Sequence, residues 1–455
     1  MMAKKKKKDT KANSNMTLPI MRPNAAGIDI GAREIFVAVP QGRDSEPVRS
    51  FPTFTQDLYN LVNWLKECNI ETVAMESTGV YWIPLFQILE DTGFEVFLVN
   101  ARHVKNVPGR KTDVSDCQWL QFLHSVGLLK PSFRPGQEVC AVRSLLRHRD
   151  SLVKLASTHV HHMQKALDQM NVQLHHVISD ITGQTGLAII DAILQGEYSP
   201  NKLAKLCSTR IKASEEIIIK SLVGDYRPEH LFTLRQSLDA YRNYQKMIEN
   251  CDKEIQNYLG KIDPPNNDQN NELSDKSDNK KSKSKDSILS LEFRRIFGTD
   301  LTKIPGIGIK TIQTIVGEIG PDFSKFRSAS AFASWLALCP DNDISGGKVL
   351  KTRTRQVKSR AATALRLAAF SLHSAKNSLG NFYRRMRSKH GAPKAITATA
   401  HKLARLIFHL VTNKQEYDET YLAEDYLRYE QRQESRLRAK AKARGFELVP
   451  IQQTA

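Results

Sequence analysis

AAGIDIGAREIFVAVP, residues 25–40, decides the fold. Two apolar runs, AAGIDIG and EIFVAVP, the second rich in β-branched and aromatic residues, flank the turn-prone GAR, and this predicts a β-hairpin. Beyond it, LYNLVNWLKEC (58–68) has apolar residues at helical spacing, and ETVAMES (71–77) reads as a strand. VYWIPLFQILEDTG (80–93) is a second helix closed by Gly93, EVFLVN (95–100) a further strand, and SDCQWLQFLHSVG (115–127) a third helix with Ser115 or Asp116 near its start. Strands alternating with helices predict an α/β domain on a mixed or parallel sheet.

After residue 138 the period changes. Val142, Leu145, Arg149, Leu152, Ala156, Val160, Met163, Leu167, Met170, Leu174, Val177 and Ile181 recur at spacings of three and four. Such a heptad seam predicts a coiled coil or a long helical hairpin. A second seam runs Leu234, Leu238, Tyr241, Gln245, Ile248, Asp252, Ile255, Leu259, with Gln245 and Asp252 as polar positions where register can be set. Residues 263–288 are almost free of apolar side chains and are expected to be a flexible linker. The expected class is α/β plus all-α: a basic disordered tail (1–23), a mixed-sheet domain (24–138), coiled-coil helices (139–262), the linker (263–288), a helical domain (289–415) and a charged extension (416–455).

Sixty-seven Lys and Arg face forty-eight Asp and Glu, a formal charge of +19 over 455 residues. That excess is the electrostatic footprint of binding to a phosphate backbone. A membrane location is not expected, because no apolar run approaches the roughly 20 residues that cross a bilayer. The lysine-rich start lacks a following apolar stretch, so no secretory signal is expected. Six cysteines without a C-x-x-C fit a reduced, cytoplasmic setting better than disulfides or zinc.

Against this positive background stand four acids that end or follow apolar runs: Asp29, Glu76, Asp113 and Asp116. Hard carboxylate oxygens on a phosphate-binding protein are suited to Mg²⁺, which polarises oxygens at a phosphodiester. Asp113 and Asp116, three apart at a helix start, can face one point near the positive end of the helix dipole. Each acid alone has a plain alternative as a strand-end or capping residue. Arg102, Lys105, Arg110 and Lys111 surround them as candidate nucleic-acid contacts. The order strand-Asp, strand-Glu, Asp-x-x-Asp resembles the ribonuclease-H-like fold of the Holliday-junction resolvase RuvC.

Two further motifs lie downstream. LTKIPGIGIKTIQTIVGEIGPDF (301–323) joins two amphipathic helical pieces through Gly306 and Gly308, the pattern of a helix-hairpin-helix that offers backbone N–H groups and Lys310 to phosphate. Ser345, followed by Gly346 and Gly347, precedes Lys348, Lys351, Arg353, Arg355, Lys358 and Arg360. A serine hydroxyl attacks phosphorus only where a proton acceptor and anion stabilisation are at hand, and these cations are candidates for the second. A plain turn is the competing reading of S-G-G. His159, His161 and His162 flank the first seam, and Trp82, Trp119 and Trp335 sit in apolar helical stretches, so these are expected to be interface and core residues.

The set K-T-D-x-x-D, P-G-I-G and S-G-G in this order resembles the DEDD transposases of insertion-sequence family 110 over about residues 24–415. The resemblance implies that Asp29, Glu76, Asp113 and Asp116 bind Mg²⁺ in a RuvC-like domain. It implies that Ser345 forms a covalent 5′-phosphoserine linkage to DNA. It further implies donor and target DNA as partners, an element-encoded structured bridge RNA that selects both by base pairing, and a dimer or tetramer in which two domains from different subunits form one composite site. Ala337 and Ala361 stand where glycines are expected, which bears on loop geometry. The rival readings are a Holliday-junction-type metal nuclease without covalent serine chemistry, and a non-enzymatic architectural DNA-binding protein.

Overall fold

The computed structural model describes residues 18–100, 113–263 and 285–449, and the chain divides into two units at Arg134/Pro135. In the first unit, strands β1 (Ala25–Ile30), β2 (Glu34–Ala38) and β3 (Val48–Pro52) form an antiparallel meander. Helix α1 (Thr55–Glu67) leads to β4 (Thr72–Glu76), α2 (Trp82–Asp91) to β5 (Glu95–Val99), and α3 (Asp113–Ser125) follows. The five-stranded sheet has the order β3-β2-β1-β4-β5, with β4 parallel to both β1 and β5. This is a ribonuclease-H-like sheet. The hairpin and the strand–helix alternation read from the sequence are present. The edge strand β3 was not expected, because VRSFP is short, half-exposed and ends in proline.

Side-chain alternation gives the sheet two different faces. Ile28, Ile30, Val73 and Met75 join Leu61, Leu65, Leu85 and Leu89 of α1 and α2 in one core. Ala74, Phe97 and Val99 pack on Leu120 and Leu123 of α3 from the other side. The opposite-facing β1 residue Gly27 admits α3: a Cβ there would lie 2.2 Å from the Gln121 nitrogen and 2.3 Å from the Cys117 oxygen. Gln121 Nε2 also donates to the Ala25 carbonyl at 3.2 Å, so α3 rests directly on the β1 backbone.

In the second unit the two seams form one antiparallel helix pair, α4 (Gln137–Gln169) and, after α5 (Gln184–Leu194), α6 (Pro200–Ala204) and α7 (Glu215–Ser221), α8 (Pro228–Gly260). Arg149 pairs with Asp252, and further along His159 stacks on Tyr244 with ring centroids 5.4 Å apart. The seams therefore face each other within one chain. The polar position Asp252 is answered by Arg149, the polar member of the opposite seam. One expectation is corrected: the first seam does not continue as a helix to Ile181. Asn171 takes a left-handed φ of +55° just past α4, and Leu174, Ile178 and Ile181 turn into the core of the small helices α5–α7.

The remainder comprises α9 (Lys285–Phe297), α10 (Ile309–Glu318), α11 (Ala329–Trp335), strands β6 (Pro340–Ser345) and β7 (Lys348–Thr354), α12 (Arg360–Ser371), α13 (Ser378–His390), α14 (Ala392–Asn413) and α15 (Thr420–Lys442). Phe323, Phe326, Phe332, Trp335 and Phe408 form an aromatic cluster at its centre. The two strands in an otherwise helical domain were not expected, because PDNDIS and KVLKTRT are polar and bury no side chain.

Candidate functional site

The register of β1 on β4 pairs Gly27 with Ala74 and Ile28 with Met75. Continued by one residue, it sets Asp29 beside Glu76 at the carboxyl ends of two adjacent parallel strands. Both are half-buried and both belong to the sheet face that carries α3. The Cys117 thiol, buried on α3, is pushed up to about 12, first by burial and then by several smaller effects that include the negative charges of Asp29 and Asp116. Asp116 precedes Cys117 in the first turn of α3, and Asp29 lies near enough to Cys117 for its charge to act on the thiol. Asp113 is the first residue of α3, and its side chain lies outside the described residues. Asp29 and Glu76 thus stand side by side at the ends of β1 and β4, and Asp116 lies in the first turn of α3, the helix packed on that face of the sheet, where the helix N-terminus favours negative charge.

Among the described residues no three His, Cys, Asp or Glu side chains converge closely enough to form a ready-made metal centre. The donor chemistry nonetheless fits a hard divalent cation: carboxylate oxygens from two strand ends and a helix start, with no thiolate or imidazole. Arg102, Lys105, Arg110 and Lys111 lie outside the described residues. The glycines of G-I-D-I-G allow close backbone approach, as their sequence suggests, and at Gly27 what approaches is α3, at Cys117 and Gln121.

Ser345 ends β6 at the tip of a two-residue hairpin, opposite Lys348. Gly346 and Gly347 have φ of +55° and +76°, as a type I′ turn requires at both central positions. The serine is exposed, as are its neighbours along β6. The six cations that follow it do not gather around it. Lys348 alone is its cross-strand partner. Lys351 stands opposite Asp343 and Arg353 opposite Asp341. Arg355 turns back to donate to the carbonyl of Ser334, and Arg360 pairs with Asp150 on α4. Lys358 lies beyond the hairpin, just before α12.

Of the predicted helix-hairpin-helix, the second helix is α10, whereas only a single 3₁₀ turn, Leu301–Lys303, precedes the glycine turn. Gly306 has φ +84°, and a Cβ there would meet the Ala368 oxygen at 2.8 Å, so glycine is needed for both reasons. Gly308 caps α10 without crowding, and Lys310 stands exposed in its first turn. Ala337 indeed occupies a position that favours glycine, with φ +54° after α11, whereas Ala361 is an ordinary buried residue in the first turn of α12. The expected core tryptophans are partly buried: Trp82 packs edge-on to Phe86, Trp119 lies against the α3 core, and Trp335 stands 5.3 Å from Phe326.

Two family models match the chain. The model for DEDD transposases of IS110 type, described as transposase, covers residues 26–172, and the model of the transposase IS116/IS110/IS902 family covers residues 298–384. No curated protein matches it. The first match takes in the ribonuclease-H-like sheet with Asp29, Glu76, Asp113 and Asp116, and the second takes in the glycine turn and the Ser345 hairpin. The chain belongs to the IS110 family of DEDD transposases, enzymes acting on DNA in transposition.

Proposed function

We propose that this transposase cuts and rejoins DNA with Ser345 as nucleophile and a Mg²⁺-binding acid site. The observation that carries the reading is the contrast between the two matched segments. One holds hard oxygen donors, Asp29 beside Glu76 at two strand ends and Asp116 in the first turn of the helix that packs on them. The other presents an exposed serine hydroxyl at the tip of a narrow hairpin, free to approach a phosphodiester. Asp29, Glu76, Asp113 and Asp116 are the residues that would hold the metal. When bound, Mg²⁺ supplies Lewis-acid polarisation of the phosphate oxygens and a counter-charge for the developing anion.

Ser345 Oγ attacks phosphorus, the Oγ–P bond forms, and the bond from phosphorus to the 3′ oxygen breaks. The Oγ proton leaves to a carboxylate or to water, and the departing 3′ oxygen takes up a proton. The DNA is left as a 5′-phosphoserine and a free 3′-hydroxyl, so the bond energy is kept for rejoining to a second strand. Lys348, the cross-strand neighbour of Ser345, offsets charge on the phosphate. A structured bridge RNA encoded by the element is the proposed guide. Family likeness and the +19 charge motivate it, and base pairing then carries the sequence choice.

The test is a DNA substrate end-labelled on either side of the cut, incubated with Mg²⁺ and resolved under denaturing conditions. A protein-linked labelled strand is expected, absent in Ser345→Ala and strongly reduced in Asp29→Asn and Glu76→Gln. Cleavage without any linked strand would instead favour hydrolysis by activated water. For the guide, purification from native cells is expected to enrich one element-derived RNA, and its absence counts against that part of the proposal.

A further inference from the structure

Within the second unit, α4, α10 and the start of α12 enclose a cleft of about 730 Å³. α10 approaches α4 through Gly317, where a Cβ would lie 2.7 Å from Leu146 Cδ1. Six cations line the cleft: Arg143, Arg147 and Arg149 from α4, Lys310 from α10, and Lys358 and Arg360 at the head of α12. Four of them have work within the fold. Arg143 donates to the carbonyls of Gly317 and Glu318, both at 2.9 Å. Arg147 forks onto the Glu318 carboxylate at 2.9 and 3.0 Å. Arg149 pairs with Asp252, and Arg360 with Asp150. These contacts account for helix packing and use the three carboxylates at hand.

Lys310 and Lys358 are not explained by packing. Both are exposed, both line the same cleft, and neither ammonium group makes a hydrogen bond or ion pair among the described residues. The three acids are already engaged by arginines, so the cleft keeps a net positive charge. Two unpartnered ammonium groups at one cleft, beside the N-terminus of a 12-residue helix, suit an anion with repeated charges rather than a single acid.

The position of the cleft identifies that anion. Lys358 follows the serine hairpin by four residues, so whatever the cleft grips is held at the root of that hairpin. We infer that the cleft is a subsite for the DNA backbone, which clamps duplex phosphates while Ser345 reaches the scissile one; the inference rests on the proposed serine chemistry. From Lys348 to Thr354, β7 spans about 20 Å at roughly 3.3 Å per residue, and the linking residues up to Lys358 extend this reach to at most about 34 Å. At about 3.4 Å per nucleotide, the gripped phosphates lie within about ten base pairs of the cut.

The test compares the full-length parent, Lys310→Ala/Lys358→Ala and Ser345→Ala on one duplex carrying the cleavage site. Fluorescence anisotropy is measured across a salt series, with hydroxyl-radical footprinting and adduct formation on the same samples. Loss of two phosphate contacts lowers the slope of log K against log salt by about 1.8 and weakens binding about ten- to thirtyfold at 0.15 M salt. Protection beside the cut, within about ten base pairs, is expected to be lost, with the melting temperature unchanged. An unchanged slope and footprint, with the adduct still forming, overturns the cleft assignment. A slope that falls for a structured RNA but not for the duplex overturns it in favour of RNA. If the double variant shows the slope change while no protein forms an adduct, the cleft stands and the serine chemistry is what fails.

Discussion

Replacing Gly27 with alanine perturbs the contact that holds the acid site together. The added Cβ would lie 2.2 and 2.3 Å from backbone atoms of Gln121 and Cys117, and 2.8 Å from the Gln121 Cα. Backbone cannot rotate aside as a flexible side chain can, so α3 must recede by about 1 Å to restore ordinary contact, at a cost near the upper end of overpacking, about 3 kcal/mol. For a unit of this size that corresponds to a melting shift of about 10 °C. The same displacement carries Asp116, and the start of α3 at Asp113, away from Asp29. A misplacement of about 1 Å in catalytic groups lowers activity about a hundredfold. Calorimetry of the first unfolding transition and a strand-transfer assay read the two effects. Gly260→Ala is the control: it sits at the end of α8 with open space around it and is expected to be neutral or slightly stabilising. A Gly27→Ala protein that melts within about 2 °C of the parent and recombines normally would refute the seating of α3 on β1.

Three other outcomes follow from particular contacts. Arg149 and Asp252 are 25% and 13% exposed at their side chains, so Asp252→Asn should cost about 2 kcal/mol in urea unfolding. The double Arg149→Leu/Asp252→Leu variant should recover most of that loss, and equal loss in both would show the pair is not the issue. His124 is fully buried, donates to or accepts from Thr72 Oγ1 at 2.9 Å, and is lowered to about 4, by burial first and by Arg22 second. Because the unfolded imidazole takes its proton at about 6.5 and the folded one does not until about 4, the unfolded state binds more protons between these values. Stability is therefore full above about 6.5 and falls by up to about 3 kcal/mol as pH drops toward 4. His124→Gln should flatten that decline, and an equally steep decline in the variant would assign it to other groups. Ser345→Ala should leave the melting temperature unchanged, since the hydroxyl is exposed at a hairpin tip; a marked shift would mean the serine is structural.

The first unit was largely legible because its signals are local. Short apolar runs that reach Asp29 and Glu76 announce strands, and Gly93, with φ +91°, closes α2 as read. That Asp29 and Glu76 stand on neighbouring strands was legible, but not their register, because a run of apolar residues does not specify the parallel pairing of β1 with β4. In the second unit, heptad spacing announced helices, but not that the seam ends at Asn171 or that Arg149 answers Asp252. The β6–β7 hairpin escaped reading since its strands bury nothing, so only the positive-φ demand of Gly346-Gly347 marked it. The basic run after Ser345 read as one phosphate clamp. In space it disperses, because Arg355 and Arg360 are drawn off by Ser334 and Asp150, leaving Lys358 to join Lys310 in a cleft assembled from distant segments.

The most direct test of the central claim is the identity of the residue bonded to DNA. A suicide duplex, nicked so that the cleaved end cannot rejoin, is incubated with the transposase and Mg²⁺, and the linked protein is digested and sequenced by mass spectrometry. A nucleotide-phosphate adduct is expected on Ser345, in the peptide between Asp343 and Lys348, and none in Ser345→Ala. Linkage to any other residue, or cleavage with no linked peptide, would contradict it.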